Sequence, residues 1–381
     1  LGPAWTGDNL GMASVAVHSI GAGGGSIAWV DPGGLLRVGP HSAGSEPGPA
    51  CYGRGGEEPT VTDAAVVLGY IDPAHFLGGR MPLDEDAAKR VVGRLAETLG
   101  ESPERAAFAI MAVANENMIE AIKELTINEG INPAESTLVA GGGAGGLNIV
   151  PIAAELGCRT VLVPRTAGAL SASGMQFSDI VTEAGASKLT ATDQFDFEGV
   201  NAALADIDAR LDAFGARLTE RGFTDLRKRY FVEARYRFQV WELEIEVAGS
   251  RFESPADVEA LVEAFHQMHD RVFAITDPGQ AVECLNWRGR LVANVKAPTL
   301  EPSRAGRTVR AEPDRRRPAY FGQGLVETPI YLGDQLGADV VIEGPAIIEE
   351  PTSTLVVNPG ATARVSAGGR YILTPPAEGQ V

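Results

Sequence analysis

The stretch TLVAGGGAGGLNIVPIAAELGC, residues 137–158, carries the pattern that decides the fold. Thr137 to Ala140 is a short apolar run. Gly141, Gly142, Gly143, Ala144, Gly145 and Gly146 follow, and Leu147 to Leu156 then has helical spacing. Strand, glycine loop and helix in that order bring backbone N–H groups to the positive end of a helix, which suits a phosphate or the polar edge of a nucleotide. The loop is not a Walker A element, because no Gly-Lys-Ser/Thr follows, and it is not the dinucleotide pattern with an acidic residue placed for ribose. Tight packing of helix on sheet is the competing explanation, and spacing alone favours it.

Further along, Thr160 to Val163 is a second strand ending at Pro164, followed by a small-residue helix through Ala167 to Met175. Two alternating strand and helix units predict an α/β layer. Upstream, Asp84 precedes a polar helix to Leu99. Ser102-Pro103 opens another, whose Ala107, Ile110, Met111, Ala114, Met118, Ala121, Ile122 and Leu125 form one apolar stripe toward Gly130. The first 80 residues are turn-rich. Beyond residue 190, Val200, Leu204, Ile207, Leu211, Phe214 and Leu218 form a helical seam. Tyr230 to Val247 alternates as a strand, but the apolar face switches at Val240-Trp241, which predicts a bulge or a break. A helix over Pro255 to Phe273 and a strand over Leu291 to Val295 complete an α+β region. The resulting division is a glycine-rich α/β lobe at 1–190, an α+β domain at 191–300, a solvated Arg/Pro-rich linker at 301–318 and a β-rich C-terminal domain at 319–381.

Composition narrows the classes of function. The 381 residues exceed the usual size of one core, so two or three domains are expected. The formal charge of -18 argues against a nucleic-acid partner. No apolar run approaches the ~20 residues of a membrane helix. Cys51, Cys158 and Cys284 lack disulfide or metal spacing, so a reducing compartment, the cytoplasm, is expected. The chain opens on Leu1 in loop-like sequence, as a truncated or processed product would.

Further candidates are few. SIGAGGGSIA, with Gly23, Gly24 and Gly25, lets backbone approach a ligand or simply turns a hairpin corner. In PTVTDA, Thr60, Thr62 and Asp63 suit either a metal-phosphate or a helix cap, the cap being the stronger reading. His266 and His269 lie three apart on a helix without metalloprotease context, so surface or structural roles are expected for them and no protein metal site is assigned. No nucleophile has a base nearby, which excludes a self-contained nucleophilic enzyme and leaves the catalytic residues unassigned.

Taken together and in order, SIGAGGGSIAWVD, VGPHSAGSEPGPACYGRGG, PTVTDA, HFLGGRMPLD, VAGGGAGGLNIVPIAAELGC, VLVPRTAGALSASGMQFSDI, VEARYRFQVWELEI and IEGPAIIEEPTSTLVVNPG closely resemble the hydantoinase A/oxoprolinase family over nearly the whole chain. The resemblance implies an actin-like ATPase fold and an ATP-dependent enzyme subunit that phosphorylates a carbonyl to hydrolyse a cyclic amide such as a hydantoin, 5-oxoproline or a lactam. The alternatives are a ketone carboxylase of the acetone or acetophenone type, whose branch AWVD, GLNIVPIA and ARYRFQVWELE look closer to, and a noncatalytic half-subunit. It also implies ATP with Mg or Mn, a B-type partner subunit in a hetero-oligomer, and a small-molecule substrate. Gly141 to Gly146 would be the adenosine loop, with Gly23 to Gly25 and Asp63 nearer the interlobe cleft. The family's phosphate loops would precede Leu1, so the chain is expected to lack half of the ATP site and to be inactive alone. Asn148 stands where many members have His, and Asn does not titrate.

Overall fold

The computed structural model describes residues 17–127, 130–295 and 311–376. Two compact units are formed, one by the residues up to Ser173 together with those from 311 onward, the other by the residues from Gly174 to 295.

The first unit begins with an antiparallel hairpin of β1 (Ser26–Val30) and β2 (Leu36–Ser42). Helices α1 (Val61–Val67), α2 (Glu85–Leu99) and α3 (Pro103–Ile127) follow. Asp84 caps α2 by accepting the Ala87 N–H at 2.8 Å, and Gly100 ends it in the left-handed conformation, so polar start and glycine stop act as their chemistry predicts. On α3, Ala107, Ile110, Met111 and Ala114 are buried along one face. This helix is described to Ile127; the two residues after it, on the way to Gly130, lie outside the described residues. Next come β3 (Thr137–Val139), α4 (Gly145–Glu155), β4 (Thr160–Val163) and the short α5 (Leu170–Met175). β3 and β4 are parallel, with α4 as their crossover.

The second unit is an antiparallel sheet of β5 (Ile180–Ala191), β6 (Leu226–Tyr236), β7 (Leu243–Val247) and β8 (Val282–Ala293) in the order β5-β8-β6-β7. It carries α6 (Phe197–Glu220) and α7 (Pro255–Phe273). Val200, Leu204, Ile207, Leu211 and Leu218 are the buried seam of α6. The switch of face at Val240-Trp241 is a break and not a bulge. β6 and β7 form a hairpin, with Phe238 at φ 72 in the connection, and reversing the chain exchanges the face that each parity presents. The strand expected from Leu291 starts at Val282, since it pairs with both β5 and β6 along its length.

Seven further strands return to the first unit: β9 (Arg315–Tyr320), β10 (Leu325–Leu332), β11 (Val341–Glu343), β12 (Ala346–Glu350), β13 (Ser353–Val357), β14 (Thr362–Val365) and β15 (Tyr371–Thr374). They correct the expected domain division. β15 pairs with β4 and completes the sheet β11-β14-β15-β4-β3, so the C-terminal strands belong to the glycine-loop unit and not to a domain of their own. The physical reason is the open edge of β4, whose backbone groups need a partner that the local sequence does not supply. Of the expected linker, 301–310 lies outside the described residues, while Arg315, Arg316 and Arg317 form part of β9.

The sheet β13-β12-β10-β9 is covered on both faces. On β12, Ile347 packs into a core with Leu68, Ile110 and Val356, whereas Ile348 packs into another with Val161, Leu355 and Leu373. Helix α4 lies directly on β13 because Gly146 has no side chain. A Cβ there would collide with the Thr354 carbonyl oxygen and stand 3.1 Å from Leu355 Cα. Gly146→Val is therefore expected to cost roughly 2–3 kcal/mol by overpacking, read as a lowered thermal midpoint of the full chain. An unchanged midpoint would mean that α4 can lift off β13 freely.

A cleft between two glycine loops

Each glycine run is held by a nearby helix. Thr62, in the first turn of α1, donates from its backbone N–H (2.9 Å) and from its hydroxyl (2.8 Å) to the Gly24 carbonyl oxygen. A Cβ on Gly24 would stand 2.9 Å from Thr62 Oγ1 and 3.9 Å from Ala144 Cβ, so the two loops, far apart in sequence, face each other with room for little more than a methyl group between them at this point. They wall a cleft of about 200 Å³ lined by Gly24, Gly25, Gly143 and Ala144, with Thr62, Asp72 and His75, and with Glu349, Glu350 and Thr352 to Thr354 from the turn between β12 and β13. That volume lies below the ~300–1,000 Å³ of most small-molecule sites. It matches part of a ligand, such as a phosphate chain, better than a whole nucleotide.

The other expected glycines do different work. Gly141 packs against Leu170, and Gly142, at φ 87, donates its N–H to the Ala167 carbonyl at 2.7 Å. Gly145 rests on Ala140, and Gly146 on β13. Gly23 turns the first loop, its N–H accepted by Ser26 Oγ at 2.9 Å. Gly143 and Ala144 thus lie on the cleft, and the remainder of GGGAGG serves packing.

Asp63 is corrected from ligand candidate to structural cap. It is fully buried and absent from the cleft wall. Its oxygens accept the N–H groups of Ala50, Cys51 and Thr60 and the Thr60 hydroxyl, which exhausts them. Burial and the neighbouring Asp63 push the Cys51 thiol well up, so it is inert. His269 is buried, with Nδ1 2.6 Å from the Ile275 carbonyl oxygen, a structural role. Asn148 is buried in α4, its Oδ1 without a partner and off the cleft. Among the described residues no group of three or more His, Cys, Asp or Glu could hold a metal ion, and no helix is long and apolar enough to cross a membrane.

The charged residues of the cleft escaped the residue-level reading. Glu349 and Glu350 are both buried, and strand alternation sends them to opposite faces of β12. Glu349 receives Arg317 Nη1 at 2.6 Å and Arg315 Nη2 at 2.5 Å. Arg315 also reaches Asp72 at 2.7 Å, while Arg317 donates to the carbonyls of Gly69 (2.7 Å) and Tyr70 (2.8 Å). Burial alone would raise the Asp72 carboxyl, but the Ala74 N–H and the two guanidinium groups hold it below its ordinary value. Glu350 instead accepts the Tyr371 hydroxyl and has Arg165 Nε 3.6 Å away. The only sequence signal was IIEEPTST itself, two adjacent carboxylates ending an apolar run before proline and three hydroxyl residues.

Removing Arg317 leaves Arg315 alone to offset Asp72 and Glu349, the latter 3% exposed, and takes the donors from the Gly69 and Tyr70 carbonyls. Arg317→Ala should cost roughly 1–3 kcal/mol, as leaving buried acceptors without a partner does, in urea unfolding of the full chain. A second change, Glu349→Gln, should restore part of it; a single variant as stable as the parent would refute the clasp.

Residues 5–184 match the family model described as hydantoinase/oxoprolinase, and residues 216–368 match that of the hydantoinase/oxoprolinase C-terminal domain. The chain is 36% identical to the caprolactamase subunit alpha of Pseudomonas jessenii, over 96% of this chain and 53% of that protein. The crystal structure of the ATP-dependent caprolactamase of that organism matches with a TM-score of 0.69 at 36% identity, over 94% of this chain and 53% of that one. Nucleotide-free acetone carboxylase, from a study of ATP-dependent acetone carboxylation, matches with a TM-score of 0.80 at 25% identity, over 92% of this chain and 51% of that one. This chain spans about half the length of these relatives.

Proposed function

From the premise that this chain belongs to the hydantoinase/oxoprolinase family, we propose that it supplies one wall of the nucleotide cleft of an ATP-dependent enzyme that hydrolyses a cyclic amide. The mixed α/β sheets agree with an actin-like ATPase fold. The observation that carries the reading is the convergence of Gly24–Gly25 and Gly143–Ala144 on one cleft. Lacking Cβ atoms, Gly24, Gly25 and Gly143 let backbone approach phosphate oxygens, and Thr62, Thr352, Ser353 and Thr354 line the same wall with hydroxyls. Arg315 and Arg317 offset the charges of Asp72 and Glu349, which keeps the wall from repelling a polyanion. ATP is the phosphoryl donor in this reading. Mg or Mn would accompany it, held largely by phosphate oxygens and water, as Mg commonly is.

The B-type partner subunit, the hetero-oligomer and the cytoplasmic setting belong to the same proposal, as does inactivity of this chain by itself. Caprolactamase, at 36% identity against 25% for acetone carboxylase, supports the cyclic amide as substrate. The ketone carboxylase reading draws on a different fact, the closer overall superposition on acetone carboxylase, 0.80 against 0.69.

Phosphate release by the native complex containing this chain separates these readings. Release with a lactam or hydantoin alone is the expected result; release requiring both a ketone and bicarbonate establishes the carboxylase, and no release with any of them refutes catalysis. Gly143→Val, whose Cβ would stand 3.3 Å from the Thr352 carbonyl oxygen at the cleft wall, should weaken nucleotide binding by roughly tenfold, or 1.4 kcal/mol. Unchanged affinity in a folded variant would remove Gly143 from the nucleotide site.

A further inference from the structure

The first unit has a second and larger cavity, of about 920 Å³, lined by α3, α4 and the turn that joins β9 to β10. One face of α3, from Phe108 to Ile119, and one face of α4, from Leu147 to Glu155, form its sides. Its volume falls within the ~300–1,000 Å³ of ordinary small-molecule sites, which that of the cleft does not. Most of the lining is apolar, including Phe108, Phe321, Val150 and Pro359. Leu147 lines both cavities, so the two adjoin at that residue.

The polar groups of this cavity have a definite chemistry. Asn115, on α3, and Asn358, just after β13, both line it, and the Oδ1 of each is buried without a hydrogen-bond partner. Among the described residues neither carboxamide nitrogen donates to the protein. An amide buried without partners is costly, so two of them at one cavity call for a use. With the oxygens turned away from solvent, the N–H groups are what these side chains offer to the cavity. The Tyr70 hydroxyl is already spent on the Tyr320 carbonyl oxygen at 2.9 Å. Glu116 and Glu155 stand exposed at the edge, and among the described residues no Lys, Arg or His lines the cavity.

We propose that this cavity binds a neutral cyclic amide with an apolar ring. The carbonyl oxygen of such a ligand accepts N–H groups from Asn115 or Asn358, its own N–H has the carboxylates of Glu116 and Glu155 as acceptors, and its ring meets the aromatic and aliphatic walls. Two carboxylates and no cation exclude a nucleotide, a phosphate or a carboxylate as the occupant. A ketone of the same size satisfies the amide donors but brings no N–H to the glutamates. Binding follows from this geometry alone; identifying the ligand with the substrate rests on the cyclic-amide reading above.

The test is an NMR titration of the native complex containing this chain, without nucleotide. Caprolactam should bind, cycloheptanone, the ketone of the same ring size, about threefold more weakly, and cycloheptanecarboxylate at least about tenfold more weakly. Asn115→Leu and Asn358→Leu should each weaken caprolactam binding by about three- to tenfold while holding or raising the thermal midpoint, because an unpaired buried oxygen is removed. Amides with a purely structural role give the reverse, a lower midpoint with unchanged binding, and that result refutes the site. Ala112→Trp, at an exposed position of α3 that lines the cavity, fills it and should abolish binding even if the Asn variants fail to fold. No caprolactam binding, or binding untouched by Ala112→Trp, overturns the site, while lactam-driven phosphate release in the same complex keeps the proposed function standing. Tighter binding of cycloheptanone overturns the amide as ligand. Dissociation of the complex by Ala112→Trp assigns the cavity to a partner subunit and likewise overturns the proposal. If caprolactam binds but releases no phosphate in the presence of ATP, the site stands and the proposed function fails.

Discussion

Strand β12 is buried on both faces, and the first unit is arranged around it. A strand so covered can end in charged residues only if each charge is met where it emerges. Glu349 and Glu350 emerge on opposite sides, so two separate sets of partners are needed. One comes from β9 through Arg315 and Arg317, the other from β15 and the segment after β4 through Tyr371 and Arg165. These demands draw the C-terminal strands against the glycine loops.

The same packing makes the cleft. Because Gly146 lets α4 lie on β13, the residues at its N-terminal end, Gly143 and Ala144, come to the turn between β12 and β13. Thr62 fixes the other loop by donating twice to the Gly24 carbonyl oxygen. Asp63, one residue further, holds the start of α1 together by accepting four hydrogen bonds. Cleft-facing and structural residues are therefore adjacent along a single segment, and the carboxylate that looks most chemical in PTVTDA is the one turned inward.

The predicted elements that were found rest on local signals. Asp84 and Gly100 mark the ends of α2, the spacing of Val200 to Leu218 fixes the buried face of α6, and strand, glycine loop and helix appear at 137–155. The failures were non-local. A parity switch at Val240-Trp241 is the same whether a strand bulges or the chain reverses, and only pairing of β6 with β7 distinguishes them. An arginine-rich stretch resembles a linker until Glu349 and Asp72, neither adjacent in sequence, are brought to Arg315 and Arg317.

By itself the sequence determined the helices with their caps, the family, and which glycine runs could face a ligand, since these depend on neighbours within a few turns of chain. The tertiary structure alone decided which glycines face the cleft, that Asp63 is a cap, that the C-terminal strands complete the β3–β4 sheet, and that two adjacent glutamates have unlike surroundings. Those outcomes depend on which groups are brought together beyond the local turn, from Cys51 at Asp63 to β15 at β4, and that is settled only when the chain has folded.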